Sequence, residues 1–309
     1  MVPDIFYYDI TRRQFVKSAL AGVASFSLGW PIRASFGGHR TGARLRLLYL
    51  TDVHAKMGKG VLRALEMASA AVRRYRPEMI VAGGDLINGG LGCTAGEIRA
   101  QWELYSDFQN SLGARVYAAI GNRDLAGAWL REGPAESDPR REFKRRMGLS
   151  RTWYIMDAGA YRFLFLDPIR ITSDPLHYRG EVPAEQLRWL REQANSIKPN
   201  QRAVLVTHMP ILTAFYQATC GGTASAPLNR IVANGKEVLD ILQKGNKLVL
   251  VLQGHLHVNE MIRWRGTTFI TGGAVCGRWW RGAWHGTPPG FGVVSLDGDR
   301  VDWEYVGYN

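Results

Sequence analysis

The sequence predicts an α/β fold built around a mixed β-sheet, and three observations lead to that prediction. From Arg44 onward, β-rich apolar runs alternate with segments whose apolar residues recur three and four positions apart, as expected when strands alternate with amphipathic helices. The run 203–206 is continuously apolar, which indicates a strand buried on both faces. The C-terminal third is rich in strand-forming residues and glycine, which favours a mixed sheet over a purely parallel one.

The predicted elements follow one another without a low-complexity linker, and 309 residues, 46% of them hydrophobic, can bury one large core. Strands are predicted at 45–50, 79–82, 116–120, 153–157, 162–166, 203–207 and 247–252, with two or three more between 261 and 305. Helices are predicted at 61–75, 96–111, 184–196 and 235–244. The segment 153–166 is expected to form a hairpin that turns at Ala158-Gly159-Ala160.

The N-terminus resembles a twin-arginine export signal. Arg12 and Arg13 precede Phe15 and Lys17, and the mildly apolar stretch 18–30 follows. That stretch is too short and too diluted by glycine and alanine to span a bilayer comfortably, and an ordinary amphipathic first helix is the alternative. We expect residues 1–42 to be a twin-arginine signal or leader and residues 43–309 to be the folded domain.

This leader has consequences for location and partners. It predicts a periplasmic or otherwise exported protein that meets the twin-arginine translocase during export. The sequence leaves open whether the leader is cleaved or is kept, in which case it would bring the protein into contact with the membrane.

The chain is basic, with a formal net charge of +12 and a pI of about 9.8. Apart from a cluster at 140–146 the basic residues are scattered. A positive field fits an anionic substrate, an anionic membrane surface or nucleic acid, and a solvated basic face is an equally good interpretation. The three cysteines, Cys93, Cys220 and Cys276, lack metal-finger spacing, and the sequence leaves open one disulfide or three free thiols.

Five short polar segments each follow a predicted strand and carry residues that commonly bind metal ions. They are Asp52-Val53-His54, Gly83-Gly84-Asp85, Gly121-Asn122-Arg123-Asp124, Thr207-His208 and Gly254-His255-Leu256-His257. Each segment alone is a weak signal, because such residues are often ordinary loop or capping residues. Together they place four of the seven histidines at strand ends, where ligands bind in open α/β folds.

In this order the five segments resemble the signature of calcineurin-like metallophosphoesterases, D-x-H, G-D, G-N-H-D/E, H and G-H-x-H. The resemblance implies two mixed β-sheets packed as a sandwich and flanked by helices, an αββα arrangement. It also implies two divalent metal ions, Mn, Zn or Fe. The implied ligands are Asp52, His54 and His257 for one ion, Asn122, His208 and His255 for the other, and Asp85 as the bridge between them.

The chemistry of these residue types agrees with that assignment. Imidazole, carboxylate and amide ligands suit Zn, Mn or Fe(II). Two divalent ions about 3.5–4 Å apart can clamp a phosphoryl group and lower the pKa of a shared water. The resemblance therefore implies a two-metal phosphoester hydrolase, a phosphodiesterase or phosphatase, in which a metal-bridging hydroxide attacks phosphorus. The predicted leader makes it an exported enzyme.

Position 123 departs from the family pattern, which usually places histidine after the asparagine. Arg123 stays charged and cannot act as a general acid near neutral pH, but it can hold phosphate oxygens and stabilise transition-state charge. Gly-Asn-Arg-Asp is similar to the form in bacterial UDP-2,3-diacylglucosamine hydrolases, which split a pyrophosphate. We therefore expect Asp85 and Arg123 to act in catalysis on a small anionic phosphoester or phosphoanhydride with a good leaving group.

The glycine-, tryptophan- and arginine-rich stretch 272–292 follows the last predicted ligands and is expected to contribute a wall of the site. Arg278, Trp279 and His285 are its candidate substrate-binding residues, and His285 is also a candidate proton donor. The alternative interpretation of this stretch is a glycine-rich loop that has a structural role and is held in place by buried tryptophans. Two other functions remain open: a nuclease that binds nucleic acid on the same scaffold, and a non-catalytic binding protein on a degenerate phosphoesterase scaffold.

Overall fold

The computed structural model describes residues 32–36, 44–89, 92–174, 176–245 and 247–308. The Arg12-Arg13 pair and the apolar stretch behind it lie outside these residues, so the export leader stays a prediction. Residues 32–36, which fall inside the predicted leader, form a strand at the edge of a sheet. Within the described residues, no helix is long and apolar enough to cross a bilayer.

The described residues form fourteen strands and six helices. The strands are β1 Ile32–Phe36, β2 Arg44–Leu50, β3 Met79–Ala82, β4 Arg115–Ala118, β5 Tyr154–Ala158, β6 Tyr161–Phe165, β7 Ile169–Ile171, β8 Tyr178–Gly180, β9 Arg202–Val206, β10 Leu248–Gln253, β11 Glu260–Trp264, β12 Thr267–Thr271, β13 Gly290–Asp297 and β14 Arg300–Gly307. The helices are α1 Lys59–Arg74, α2 Ala95–Ser111, α3 Arg141–Met147, α4 Ala184–Asn195, α5 Phe215–Cys220 and α6 Gly235–Leu242.

All seven individually predicted strands and all four predicted helices are present, each within two residues of its predicted ends. The hairpin of β5 and β6 turns where expected, with Ala158 opposite Tyr161. Four strands, β11 to β14, occupy the region where the sequence predicts two or three, so that count was too low. The sequence prediction also lacks β7, β8, α3 and α5, which are too short to show a clear periodicity.

Two six-stranded sheets organise the described part of the chain. The first has the order β1-β14-β13-β2-β3-β4 and the second the order β11-β12-β10-β9-β6-β5. Both are mixed: β2, β3 and β4 run parallel, as do β6, β9, β10 and β12, whereas the remaining neighbours are antiparallel. The predicted α/β class with two mixed sheets and flanking helices is confirmed.

Alternating residues of the central strands enter two different hydrophobic layers. In β9, Val204 and Val206 belong to a buried cluster with Tyr49 of the first sheet, whereas Leu205 belongs to a cluster that includes Trp102 of α2. Strand β9 is therefore buried on both faces, as its continuous apolar run predicts. The first cluster joins the two sheets, and the second joins sheet residues to the helices.

This topology determines where the polar segments lie. Because β2, β3 and β4 are parallel, the loops that follow them leave the same edge of the first sheet, and the loops after β9 and β10 likewise leave one edge of the second. Two loops of the different sheets are joined directly, because the His255 backbone N–H donates to Asp52 Oδ2 at 2.9 Å.

Candidate metal centre

The seven predicted metal ligands lie together and are all buried, with none more than 4% exposed. Seven buried polar side chains must hydrogen-bond to one another or bind a ligand, because a buried polar group without a partner lowers the stability of the fold.

One group consists of Asp52, His54 and His257. The Nε2 atoms of the two histidines are 3.1 Å apart. Asp52 Oδ1 lies 3.6 Å from His54 Nε2 and 3.2 Å from His257 Nε2. Three potential ligand atoms of two imidazoles and one carboxylate therefore converge on one point.

A second group consists of Asp85, His208 and His255. His208 Nε2 lies 3.2 Å from His255 Nδ1 and 3.4 Å from Asp85 Oδ2. The same Asp85 oxygen is 3.6 Å from His54 Nε2 of the first group. Asp85 therefore lies between the two groups, which is where the sequence interpretation puts the bridging ligand.

Backbone carbonyls orient three of the imidazoles. His208 Nδ1 is 2.8 Å from Gly83 O, His255 Nε2 is 2.9 Å from Asn229 O, and His257 Nδ1 is 2.6 Å from Gly277 O. A carbonyl only accepts, so each of these nitrogens donates, and the other ring nitrogen faces the centre of the site. Such an outer hydrogen bond is the usual support of a metal-binding histidine.

Two oxygen atoms of the site accept no hydrogen bond although they are buried, Asp52 Oδ1 and Asn122 Oδ1. A divalent cation would satisfy both, and the nitrogen and oxygen donor set is one that Zn, Mn and Fe(II) accept. The residues present therefore fit the metal ions implied by the sequence.

The charges of the site point the same way. Burial disfavours the ionised form of Asp85, but the His208 imidazole outweighs burial and holds the pKa of that carboxyl below its usual range. Burial lowers the pKa of His208, but the carboxylates of Asp85 and Asp52 outweigh it and raise that pKa to about 9. The carboxylates thus attract positive charge to the His208 lone pair, where a proton and a metal ion compete.

Five of the seven candidate ligands adopt a left-handed backbone, with φ of 54° at Asp52, 46° at His54, 52° at Asp85, 71° at His255 and 59° at His257. Residues other than glycine rarely adopt this conformation, and such strain persists where the surrounding structure holds it, often at functional sites. In two of these loops the candidate ligands are two residues apart, Asp52 and His54 in one and His255 and His257 in the other.

Gly121 and Asp124 position the loop that carries Asn122 and Arg123. A Cβ at Gly121 would lie 2.1 Å from the Asp85 backbone nitrogen, so only glycine allows the two loops to approach this closely. Asp124 accepts hydrogen bonds from the backbone N–H groups of Leu86 at 2.8 Å, Ile87 at 3.2 Å and Gly121 at 2.8 Å. Asp124 therefore ties the two loops together.

A cleft of about 210 Å³ opens over the two groups. Arg123 and Trp279 line it, and the Trp279 ring lies 4.4 Å from the His257 ring at an interplanar angle of 32°. Five further lining residues were not singled out as site residues in the sequence: Leu176, His177, Tyr178, Asn229 and Arg230. They come from β8 and from irregular loops without a recognisable motif, and no sequence signal marks them.

The other two candidate substrate-binding residues lie beside this cleft and do not line it. The Arg278 guanidinium carbon is 5.2 Å from the centre of the Trp284 ring. His285 is exposed and packs against Trp284 at 4.4 Å and Phe215 at 5.1 Å between ring centres. Their contact with substrate, and the proton-donor role of His285, therefore remain predictions.

The family model of calcineurin-like phosphoesterases matches residues 45–259, which contain all seven candidate ligands. The chain belongs to the calcineurin-like phosphoesterase family. This membership agrees with the fold and with the buried clusters able to hold metal ions.

Two characterised phosphodiesterases are similar to this chain. A cAMP/cGMP dual specificity phosphodiesterase of Mycobacterium tuberculosis is 27% identical over 243 residues, which cover 77% of this chain and 65% of that protein. A glycerophosphodiester phosphodiesterase of Enterobacter lignolyticus is 25% identical over 206 residues, which cover 64% of this chain and 62% of that protein. The chain thus matches less than two thirds of the length of either relative.

Among solved structures, a dimetal phosphatase from Danio rerio has the same fold. It superimposes with a TM-score of 0.62 at 15% identity and covers 85% of this chain and 96% of its own.

Proposed function

We propose that this protein is a two-metal phosphoester hydrolase that cleaves phosphodiesters or phosphoanhydrides with good leaving groups. The observation that carries the proposal is the pair of buried histidine and carboxylate groups that share Asp85 beneath an open cleft. The family supports the reaction class, and two relatives named as phosphodiesterases support diesters as substrates.

The metal ions would be held by Asp52, His54 and His257, by Asn122, His208 and His255, and by Asp85 between them. When bound, two such ions supply Lewis acidity toward a phosphoryl oxygen and lower the pKa of water. Asp85 is held for this task by the Arg123 backbone N–H, which donates to Asp85 Oδ1 at 2.7 Å and leaves Oδ2 facing both groups.

Arg123 lines the cleft directly above these groups, where its guanidinium can hold two oxygens of a phosphoryl group. Trp279, whose ring is tilted by 32° against that of His257 at 4.4 Å between ring centres, offers an apolar wall for the organic part of the substrate. Arg123 stabilises charge but supplies no proton, which favours substrates whose departing oxygen is stable as an anion.

The Asp85→Asn variant should lose metal-dependent hydrolysis of bis(p-nitrophenyl) phosphate, with kcat/KM falling about a hundredfold or more, because an amide bridges two cations poorly. Initial rates with added Mn or Zn measure this. Asp240→Asn, an exposed carboxylate in α6, is the matched control and should keep wild-type activity. Activity of folded Asp85→Asn within a few-fold of wild type would refute the bridging role.

Rates on a series of phosphodiesters should fall steeply as the leaving-group pKa rises, because Arg123 cannot protonate the departing oxygen. Arg123→His should flatten this dependence by supplying a titratable group at the same place. The slope of log kcat/KM against leaving-group pKa measures the effect in both proteins. Wild-type hydrolysis of unactivated alkyl diesters as fast as of nitrophenyl diesters would contradict the proposal.

We also propose that the protein is exported through its Arg12-Arg13 motif. Replacing both arginines by lysine keeps the charge but changes the twin-arginine pair, and we expect the double variant to accumulate in the cytoplasm while the unaltered protein reaches the periplasm. Cell fractionation and immunoblotting distinguish the two. Equal export of both proteins would show that the motif is not an export signal.

A further inference from the structure

Two arginine side chains line the cleft, and neither has an anionic partner in the part of the chain that the structure describes. Among the described residues, Arg123 and Arg230 form no ion pair and no side-chain hydrogen bond. Many arginines elsewhere are paired with carboxylates, as Arg140 is with Asp167 and Arg162 with Asp157. Two uncompensated guanidiniums beside one cleft indicate a site for more than one negative charge.

The backbone around Arg230 is fixed relative to the candidate metal ligands. The Gly180 N–H of β8 donates to Leu228 O at 2.8 Å, and the Val232 N–H donates to Pro210 O at 2.8 Å. Between these bonds, Asn229 O accepts from His255 Nε2 at 2.9 Å. The residue before Arg230 is thus hydrogen-bonded directly to a candidate metal ligand, and this bond fixes the backbone position of Arg230 in the wall of the cleft.

Arg230 and Arg123 line the same cleft as Tyr178, whose ring centre is 6.4 Å from that of His255. His255 lines this cleft as well. Both guanidiniums therefore belong to the wall of a cleft that also contains a candidate metal ligand.

We propose that Arg230 binds a second anionic group of the substrate, so that the preferred substrates carry a phosphate or equivalent anion next to the scissile phosphoryl group. This inference rests on the proposed function, which places the scissile group at the metal ligands and Arg123. A diester with a single charge would leave the Arg230 guanidinium uncompensated beside two divalent ions. A phosphoanhydride or a phosphorylated diester would place its second anion against that guanidinium, where bidentate hydrogen bonds are available.

The test compares inorganic phosphate with pyrophosphate as competitive inhibitors of bis(p-nitrophenyl) phosphate hydrolysis, at a buffered concentration of free metal ion. In wild type, pyrophosphate should inhibit about tenfold more strongly than phosphate. Arg230→Gln should weaken inhibition by pyrophosphate about tenfold, which corresponds to about 1.4 kcal/mol of binding free energy. The same variant should weaken inhibition by phosphate less than about twofold. Arg230→Lys should recover part of the difference, because it restores the charge without the planar fork.

The matched control is Arg188→Gln, which removes an exposed arginine of α4 and should change neither inhibition constant. Thermal melting of each variant checks that it folds. Equal weakening of both inhibitors by Arg230→Gln, or no weakening of either, would overturn the role of Arg230. If wild type hydrolyses no diester, the proposed function fails, but titration calorimetry of the metal-loaded protein with the same two anions still decides the inference.

Discussion

The position of the Asp85 carboxylate between the two histidine groups determines how the whole site is arranged. One of its oxygens accepts the Arg123 backbone N–H, and the other faces His54 of one group and His208 of the other. That position requires the loops after β3 and β4 to touch, and glycine at 121 with the Asp124 hydrogen bonds makes the contact. The parallel strands of the first sheet bring both loops to the same edge.

The electrostatics of the buried site favour cations. Two carboxylates and four imidazoles lie together, and Asp52 Oδ1 and Asn122 Oδ1 have no hydrogen-bond donor. Protons can balance part of this arrangement, but divalent ions satisfy the carboxylates, the amide oxygen and the inward-facing imidazole nitrogens at once. The arginines above the site add further positive potential, which explains why a cleft that overlies two aspartates suits an anionic ligand.

The sequence was sufficient to predict the elements with strong periodicity and the residues that occupy strand ends. The run 203–206 is short and rich in valine, which favours a buried strand over a helix, and the five polar segments coincide with the turns after β2, β3, β4, β9 and β10. The sequence did not predict Arg230 and His177 as site residues, because irregular segments bring them to the cleft and a single residue in such a segment forms no recognisable pattern. His285 was singled out because its stretch follows the last predicted ligands in the sequence, but it packs against Trp284 and is not among the residues that line the cleft.

Anomalous diffraction from crystals of the protein reconstituted with manganese or zinc, together with elemental analysis of metal per chain, tests whether these residues hold metal ions. We expect two metal ions per chain, one among Asp52, His54 and His257 and one among Asn122, His208 and His255, with Asp85 in contact with both. Protein that binds no metal, or metal bound away from these residues, would contradict the claim and the proposed function that depends on it.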